Sequence, residues 1–322
     1  MRRPGVDIVI PSFRRPVALG RCLAGLGAQE QPPDRVIVAA RTDDTPTWDT
    51  ARAAASELPI EIAPVDAPGL VNALVAGVAA TRSPRVAFTD DDAVPHPGWL
   101  AGLTALLDEP GVGAAGGRDL VPGQTEPGRR NVGTLARWGR LTGDHHLGRG
   151  PAREVHVLKG VNMAYRSDAL AVPRPGVLQG RGTQMHTEAL MCAWARTRGW
   201  RVMYDPAITV DHRLMDDEKL AGAGAVADAD RDEEAWSAGA HNRMLGTIAS
   251  DRDRAAVHAA YGLLVGCREA PGVGRSLWAL ARGEGQVLRR TRASFAGQWH
   301  GVLDARYLDD AMLPCDTLRQ AR

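Results

Sequence analysis

The chain has 322 residues, of which 44% are hydrophobic and 24% charged, with a formal net charge of +1. This is the balance of an ordinary globular protein, long enough for one large domain plus an appendage. It excludes a net field that would gather nucleic acid, so any electrostatic recognition must be local. Cys22, Cys192, Cys267 and Cys315 form neither a CxxC pair nor a His/Cys cluster, so a zinc site and a disulfide framework are not expected, and a reduced, cytoplasmic protein is.

The opening "MRRPGVDIVIPSF" carries too short an apolar run for a signal peptide and predicts a first strand over 6–11. Short unbroken apolar runs suit strands covered on both faces, as in parallel sheets. A helix follows: Pro16 fits a first helical turn, and Leu19, Cys22, Leu23 and Leu26 form one stripe. The pattern then repeats, with strands at 35–40, 60–65 and 85–89 and helices at 47–58, 69–82 and 97–109. Strands alternating with helices of about 10–15 residues predict βαβ units and an α/β fold with a mostly parallel sheet. In such sheets ligands bind beyond the carboxyl ends of the strands.

From about 110 the rhythm breaks. "GVGAAGGRDLVPGQTEPGRRNVG" reads as loops; 155–166 and 200–212 regain strand character, and 186–199 is helical with Gly199 as its C-cap. The acidic, low-complexity stretch 215–236 reads as a mobile linker. Residues 237–322 read as a helical, Arg-rich extension. Its stretch "LRRTRASFAGQW" (288–299) is basic and amphipathic, suited either to peripheral contact with an anionic membrane or to the solvated face of packed helices. "AAVHAAYGLLVGC" (255–267) falls well short of the ~20 residues that span a bilayer.

The chemistry concentrates at "FTDDDAVP". Asp90, Asp91 and Asp92 follow directly on the fourth strand, at the expected binding edge, where Ser12 also ends the first strand. Adjacent carboxylates repel one another. They suit a divalent cation, which neutralises them and bridges to a diphosphate, although aspartates followed by prolines also make solvated turns. His145 and His146 are adjacent, and side chains at i and i+1 point apart, so a mobile acceptor loop is expected there rather than a metal site.

Four segments together resemble the family 2 glycosyltransferases, which have the GT-A, Rossmann-like nucleotide-sugar fold: "VIPSFRRPVALGRCLAGLGAQ", "FTDDDAVPHPGWL", "LKGVNMAYR" and "HTEALMCAWARTRGWRVMYDPAITVDH". They occur in the family's order and span roughly 6–213. The resemblance implies an inverting, metal-dependent, hexosyltransferase-type enzyme that uses Mn2+ or Mg2+. It would move sugar from a nucleotide-diphosphate donor to a carbohydrate, lipid-linked or small-molecule acceptor, in polysaccharide, glycolipid or secondary-metabolite glycosylation. It also implies a catalytic domain over 1–214, divided into a nucleotide-sugar half (1–109) and an acceptor half (110–214), and a place in the cytoplasm or at the inner face of the membrane.

Carried onto this chain, the resemblance gives Pro11, Ser12, Arg14, Gly69, Asp90 and Asp91 to the donor. Asp92, Asp90 and His212 fall to the metal, Glu188 to the general base, and Gly160, Asn162, His186 and Trp99 to the acceptor. Read from the residues alone, His212 equally suits a strand-end histidine satisfied by a neighbouring carboxylate, Glu188 a first-turn residue favoured by the helix dipole, and Asn162 a turn cap. Three departures stand out. Glu188 replaces the family's usual aspartate and is one methylene longer; as a first-turn residue it is expected to be kept ionised by the helix dipole. The base-reading acidic residues after the second strand are represented only by Asp43 or Asp44, and "LVAG" (74–77) is apolar where the family is often polar. A non-catalytic nucleotide-sugar-binding or scaffold protein therefore stays open, as does a nucleotidyltransferase, although "PSFRRPVAL" lacks the glycines of a phosphate loop.

Overall fold

The structure, a computed structural model, describes residues 5–123, 128–180, 182–212, 233–283 and 287–321. The chain begins with three strand–helix units: β1 (Val6–Ser12), α1 (Pro16–Gly27), β2 (Arg35–Arg41), α2 (Thr45–Ala54), β3 (Ile60–Val65) and α3 (Leu70–Ala80). β4 (Arg85–Phe88), β5 (Ala93–Pro95), α4 (Trp99–Leu107) and β6 (Val112–Leu120) follow. Next come the short strands β7 (Thr134–Leu135), β8 (Leu141–Thr142), β9 (Arg153–Glu154), β10 (Met163–Arg166) and β11 (Ala171–Pro173). α5 (Thr187–Thr197) and β12 (Arg201–His212) complete the main sheet. The remainder is α6 (Glu233–Ser250), α7 (Ala255–Leu264), α8 (Val273–Ala281), α9 (Val287–Asp304), β13 (Met312–Pro314) and α10 (Cys315–Gln320).

The main sheet has the order β3-β2-β1-β4-β10-β6-β12-β5, with β9 on β12. β1, β2, β3, β4, β6 and β12 run one way, while β10, β5 and β9 run against them. This is a mixed α/β architecture with a mostly parallel sheet, as the alternating pattern predicts. The period of two sorts the strand side chains into two cores: Ile8, Ile10, Val36 and Val38 pack on one face with α1 and α4, and Val9, Ile37 and Ala39 on the other with α3. Each fully buried Ile or Leu contributes about 2 kcal/mol.

The loop reading of 110–133 is corrected by β6, a central strand. Its sequence "VGAAGGRDL" has a single β-branched residue, Val112, because further along the strand its neighbours approach too closely to allow more. A Cβ on Gly116 would lie 2.7 Å from the Asn162 carbonyl oxygen, and one on Gly117 would lie 2.0 Å from that of Ile208. The expected strand at 155–166 contracts to β10, and the histidine loop contains a hydrogen-bonded turn. His145–Leu147 forms a 3-10 turn, with the Tyr204 hydroxyl donating to the His145 carbonyl (2.7 Å) and Arg118 Nε to that of His146 (2.8 Å).

The expected linker 215–236 falls largely on 213–232, outside the described residues, and its last four residues, from Glu233, already belong to α6. α6 packs on α5 and α9, and the chain then returns to the body built around the main sheet. β13 pairs antiparallel with β11, α10 lies against α3, and Arg319 donates to the Ser83 carbonyl at 2.6 Å. All four cysteines are free. No helix among the described residues is long and apolar enough to cross a membrane.

Gly117→Ala should be strongly destabilising, by about 3 kcal/mol or more, because the clash is with backbone that cannot move without breaking the β6–β12 ladder. Chemical denaturation of the two proteins measures this; equal midpoints would contradict the packing argument.

Candidate active site

The functional side chains gather at one edge of the sheet because its strand ends do. β1 ends at Ser12, β4 leads into Asp90–Asp92, β6 ends beside Asp119, and β12 ends at His212. These are carboxyl ends of strands running in the same direction. Lys159 joins them from the turn before the antiparallel β10. The β1–β4 junction is also where the strand order reverses, the usual ligand crevice of open α/β sheets.

The three aspartates form a tight turn, closed by the Ala93 N–H donating to the Asp90 carbonyl at 3.2 Å. The turn sends the carboxylates in different directions. Asp91 is buried and accepts from Ser12 Oγ (2.8 Å) and Arg15 Nη1 (3.0 Å). Asp92, also buried, lies 3.3 Å from the same Arg15 nitrogen and 3.4 Å from His212 Nε2. Asp90 keeps its side chain 45% exposed, with His212 Nε2 at 4.0 Å. The register explains the meeting: β5 pairs with β12 so that His212 stands opposite Ala93, the residue after Asp92.

His212 turns its other nitrogen, Nδ1, to Asp119 Oδ2 at 3.4 Å, and Asp119 is ion-paired with Lys159. Burial opposes charge on His212, but its bonds to Asp119 and Asp92 and the field of Asp90 push its pKa up to about 9. Asp119 is fully buried; desolvation would raise its pKa, but the bonds from His212 and Lys159 hold it well below the ordinary carboxylate range. Desolvation raises Asp91 to about 7 against the opposing charge of Arg15.

Asp90, Asp92 and His212 each offer a ligand atom, and these atoms lie within 4.8 Å of one another. Two carboxylates and one imidazole are a donor set suited to a divalent cation. Asp119 fits the pattern as the carboxylate that orients a ligating histidine through its second nitrogen. Among the described residues its buried Oδ1 has no hydrogen-bond partner, an acceptor left beside the cluster. The residues present therefore fit a bound cation.

Glu188 stands in the first turn of α5. It lines a cavity of about 700 Å³ that also takes Lys159 and His186 from the segments around β10 and α5, and Arg243, Tyr261 and Arg275 from α6, α7 and α8. Desolvation raises the Glu188 carboxyl above its ordinary value; a hydrogen bond to its own backbone at the helix start opposes this, as does Lys159, while Asp90 adds to it. His186 takes a left-handed backbone conformation (φ 69°), and burial and Arg243 lower it to about 3, so it faces the cavity as a neutral imidazole. His145 and His146 line the same cavity; His145 is a buried histidine whose Nε2 lies 2.8 Å from the Val157 carbonyl oxygen, and burial lowers it to about 4.

Several sequence assignments are corrected. Asn162 and Trp99 are buried and satisfy one another: Trp99 Nε1 donates to Asn162 Oδ1 (2.9 Å), while Asn162 Nδ2 donates to the Arg118 and Ile208 carbonyls. They tie α4 to β6 and β12 and present nothing to an acceptor. Arg14 is exposed with its guanidinium over the Phe13 ring, and Arg15 is the arginine that reaches the aspartates. Asp44 is buried as the N-cap of α2, accepting from Thr47 and from the Arg14 N–H, so it shapes the loop after β1.

Asp43, Pro11 and Gly69 lie at or after the carboxyl ends of β2, β1 and β3, and Gly160 precedes β10. Asp43 is more than half exposed and paired with Arg41. Pro11 is half-buried at the end of β1, and Gly160 has open space where a Cβ would be. Gly69 (φ 113°) caps α3, and a Cβ there would lie 2.9 Å from Gln184 Oε1.

Arg15, Asp119 and Lys159 went unread in the sequence. Pro16 at the first helical position carried a signal for Arg15, since it makes the preceding residue the helix cap at the sheet edge. Asp119 was legible only once β6 was recognised as a strand, and Lys159 is a lone lysine with no pattern around it.

The family model for "Glycosyltransferase like family 2" matches residues 4–238. The chain belongs to this family and is a glycosyltransferase with the GT-A fold. Among solved structures it is similar to S. aureus TarS in complex with UDP-GlcNAc (TM-score 0.55, 14% identity, covering 99% of this chain and 92% of that one). It is also similar to the mannosyltransferase PcManGT from Pyrobaculum calidifontis in complex with GDP-Man and Mn2+ (TM-score 0.51, 16% identity, covering 95% and 87%). No curated protein matches the sequence.

Two substitutions test the site's construction. Asp119→Asn should weaken Mn2+ binding about 10- to 100-fold by calorimetry, because His212 loses the carboxylate that orients it. Asn162→Ala should lower thermal stability by about 3 kcal/mol, through the unpaired Trp99 N–H and two stranded carbonyls, and leave Mn2+ affinity unchanged.

Proposed function

We propose that the protein is an inverting, metal-dependent sugar transferase that moves a hexosyl group from a nucleotide-diphosphate donor to an acceptor hydroxyl. The observation that carries the reading is a juxtaposition. The Asp90–Asp92–His212 cluster and the Glu188 cavity lie on either side of Lys159, which pairs with Asp119 in one and lines the wall of the other.

Division of labour follows from position. Residues 1–109 form the donor half and 110–214 the acceptor half. Ser12, Arg15 and Asp91 brace the turn on which a donor would rest. Asp90, Asp92 and His212 would hold Mn2+ or Mg2+, which when bound stabilises charge developing on a diphosphate leaving group. Glu188 takes the acceptor proton as the new bond forms on the face of the anomeric carbon opposite the leaving group, which inverts its configuration. The raised Glu188 pKa supports this role, since a base strengthens as its conjugate acid weakens. The cavity is large enough for an acceptor of sugar size.

A thermal-shift screen of UDP, GDP, ADP, CDP and TDP with Mn2+ tests the donor class; no stabilisation by any of them contradicts it. Asp92→Ala should cost roughly 100-fold or more in transfer or donor hydrolysis, and Glu188→Gln about 10²- to 10⁴-fold in transfer with donor binding retained.

The base must be ionised to act. kcat/KM should therefore fall about tenfold per pH unit below the Glu188 pKa, with a limb displaced above the ordinary glutamate range. A pH profile unchanged in Glu188→Gln assigns the limb to another group. Product anomeric configuration by NMR tests inversion.

A further inference from the structure

α8 is folded inside out with respect to the usual rule. It turns Ser276 and Ala279 inward, with Ser276 Oγ bonded to the Gly272 carbonyl (2.7 Å) and to Thr291 Oγ1 on α9 (2.6 Å). Its large apolar residues face outward: Val273, Leu277 (61% exposed) and Leu280 at i, i+4 and i+7, with Trp278 (48% exposed) beside them. A helix that packs by its small polar face and leaves its apolar stripe to solvent has the amphipathicity of a surface-seeking helix rather than of a core helix.

The patch extends beyond α8. Gly272 packs against the end of α7, where a Cβ on it would lie 2.6 Å from the Gly262 carbonyl oxygen, and this brings exposed Leu264 and Val265 alongside Val273. α9 repeats the inversion. It buries Ser294, Gln298 and Gly297 and exposes Leu288, Phe295 and Trp299, spaced i, i+7 and i+11 on one stripe.

Charge tells what covers the face. Between 255 and 300 there are six arginines and two glutamates, against a whole-chain net charge of +1. Arg275 and Arg282 flank Trp278, their guanidinium carbons 5.6 and 4.0 Å from its ring centroid. Apolar side chains bordered by arginines that run beside an indole ring suit an acyl–headgroup boundary, where the arginine head stays at the headgroups while the stem lies along apolar surface. No helix among the described residues is long and apolar enough to cross a membrane, and the contact that suits this patch is that of a face lying on the bilayer.

We propose that α8 and the adjoining end of α7 dock on an anionic lipid surface. Residues 265–270 and Arg275 belong both to this corner and to the wall of the Glu188 cavity, so docking sets that cavity beside the headgroups. The docking itself does not depend on the transfer reaction proposed above.

Flotation of the full chain with vesicles of phosphatidylcholine alone, or mixed with phosphatidylglycerol, tests it. The protein should float with the mixed vesicles and bind the neutral ones at least about tenfold more weakly. Leu277→Ala/Trp278→Ala and, separately, Arg282→Glu should each reduce anionic-vesicle binding about tenfold or more. Both variants should keep the parent's thermal unfolding and its stabilisation by nucleoside diphosphate with Mn2+; failure of that stabilisation in the parent itself bears on the transferase reading and not on docking. Absence of flotation, or equal flotation with neutral and anionic vesicles, overturns the proposal. So does a solution dimer that Leu277→Ala/Trp278→Ala converts to monomer without any lipid binding, since a second copy would then be what covers the face.

Discussion

Four carboxylates crowd one edge of this sheet, and three of them are buried. In a medium of low dielectric such a group is tolerable only if opposite charges are interleaved with it. The structure does this in a line: Ser12, Asp91, Arg15, Asp92, His212, Asp119, Lys159, each touching the next. Every cation in the interior of that line stands between two carboxylates. Removing any one leaves an uncompensated charge out of water, which is far costlier than the pair is stabilising. The arrangement also explains why the edge needs β1, β4, β6 and β12 running the same way. Only a shared direction brings four carboxyl ends, separated by up to two hundred residues, to one place.

The closeness of β6 to its neighbours follows from the same requirement. Asp119 can reach His212 only if β6 and β12 lie side by side, and the Gly116–Gly117 pair is what lets them. Asn162 and Trp99 then fill the space behind with a hydrogen-bonded plug. The charged edge is thus backed by backbone and by satisfied polar groups, leaving little slack. The opposite wall is built differently: helices from the C-terminal third close the cavity around Glu188, so that third contributes surface to the site as well as bulk to the fold.

The first half of the fold was legible because its physics is local. Apolar runs such as "VDIVIP" and the Leu19–Leu26 stripe state their own periods, and the aspartates lie directly after one of those runs. β6 was hidden because its residues were selected by what its neighbours leave room for, and no window of sequence contains that information. The misplacement of Asn162 and Trp99 has a similar origin: a polar residue in a glycine turn is equally at home facing a ligand or filling a buried junction. Arg14 and Arg15 are adjacent and chemically identical, and only the left-handed backbone at Arg14 (φ 56°) separates the one that turns to solvent from the one that turns to the aspartates. The long-range partners Asp119 and Lys159 needed the register of β6 and β10 before either could be assigned.

Gln184 has a role that reaches across the molecule. Its Oε1 accepts from the Val71 N–H at the start of α3 (2.9 Å), its Nε2 donates to the Leu178 carbonyl (3.0 Å), and Gln184 itself lies three residues before α5 begins at Thr187. Gln184 is therefore a strut between the amino ends of two helices, one rooted in the first three strand–helix units and the other carrying Glu188. Moving these two helix starts apart would strip a helix amide of its cap, a cost of about 1 kcal/mol before any other contact is broken. The joint is stiff by construction, and displacement of the Glu188 helix start would be felt mechanically at α3.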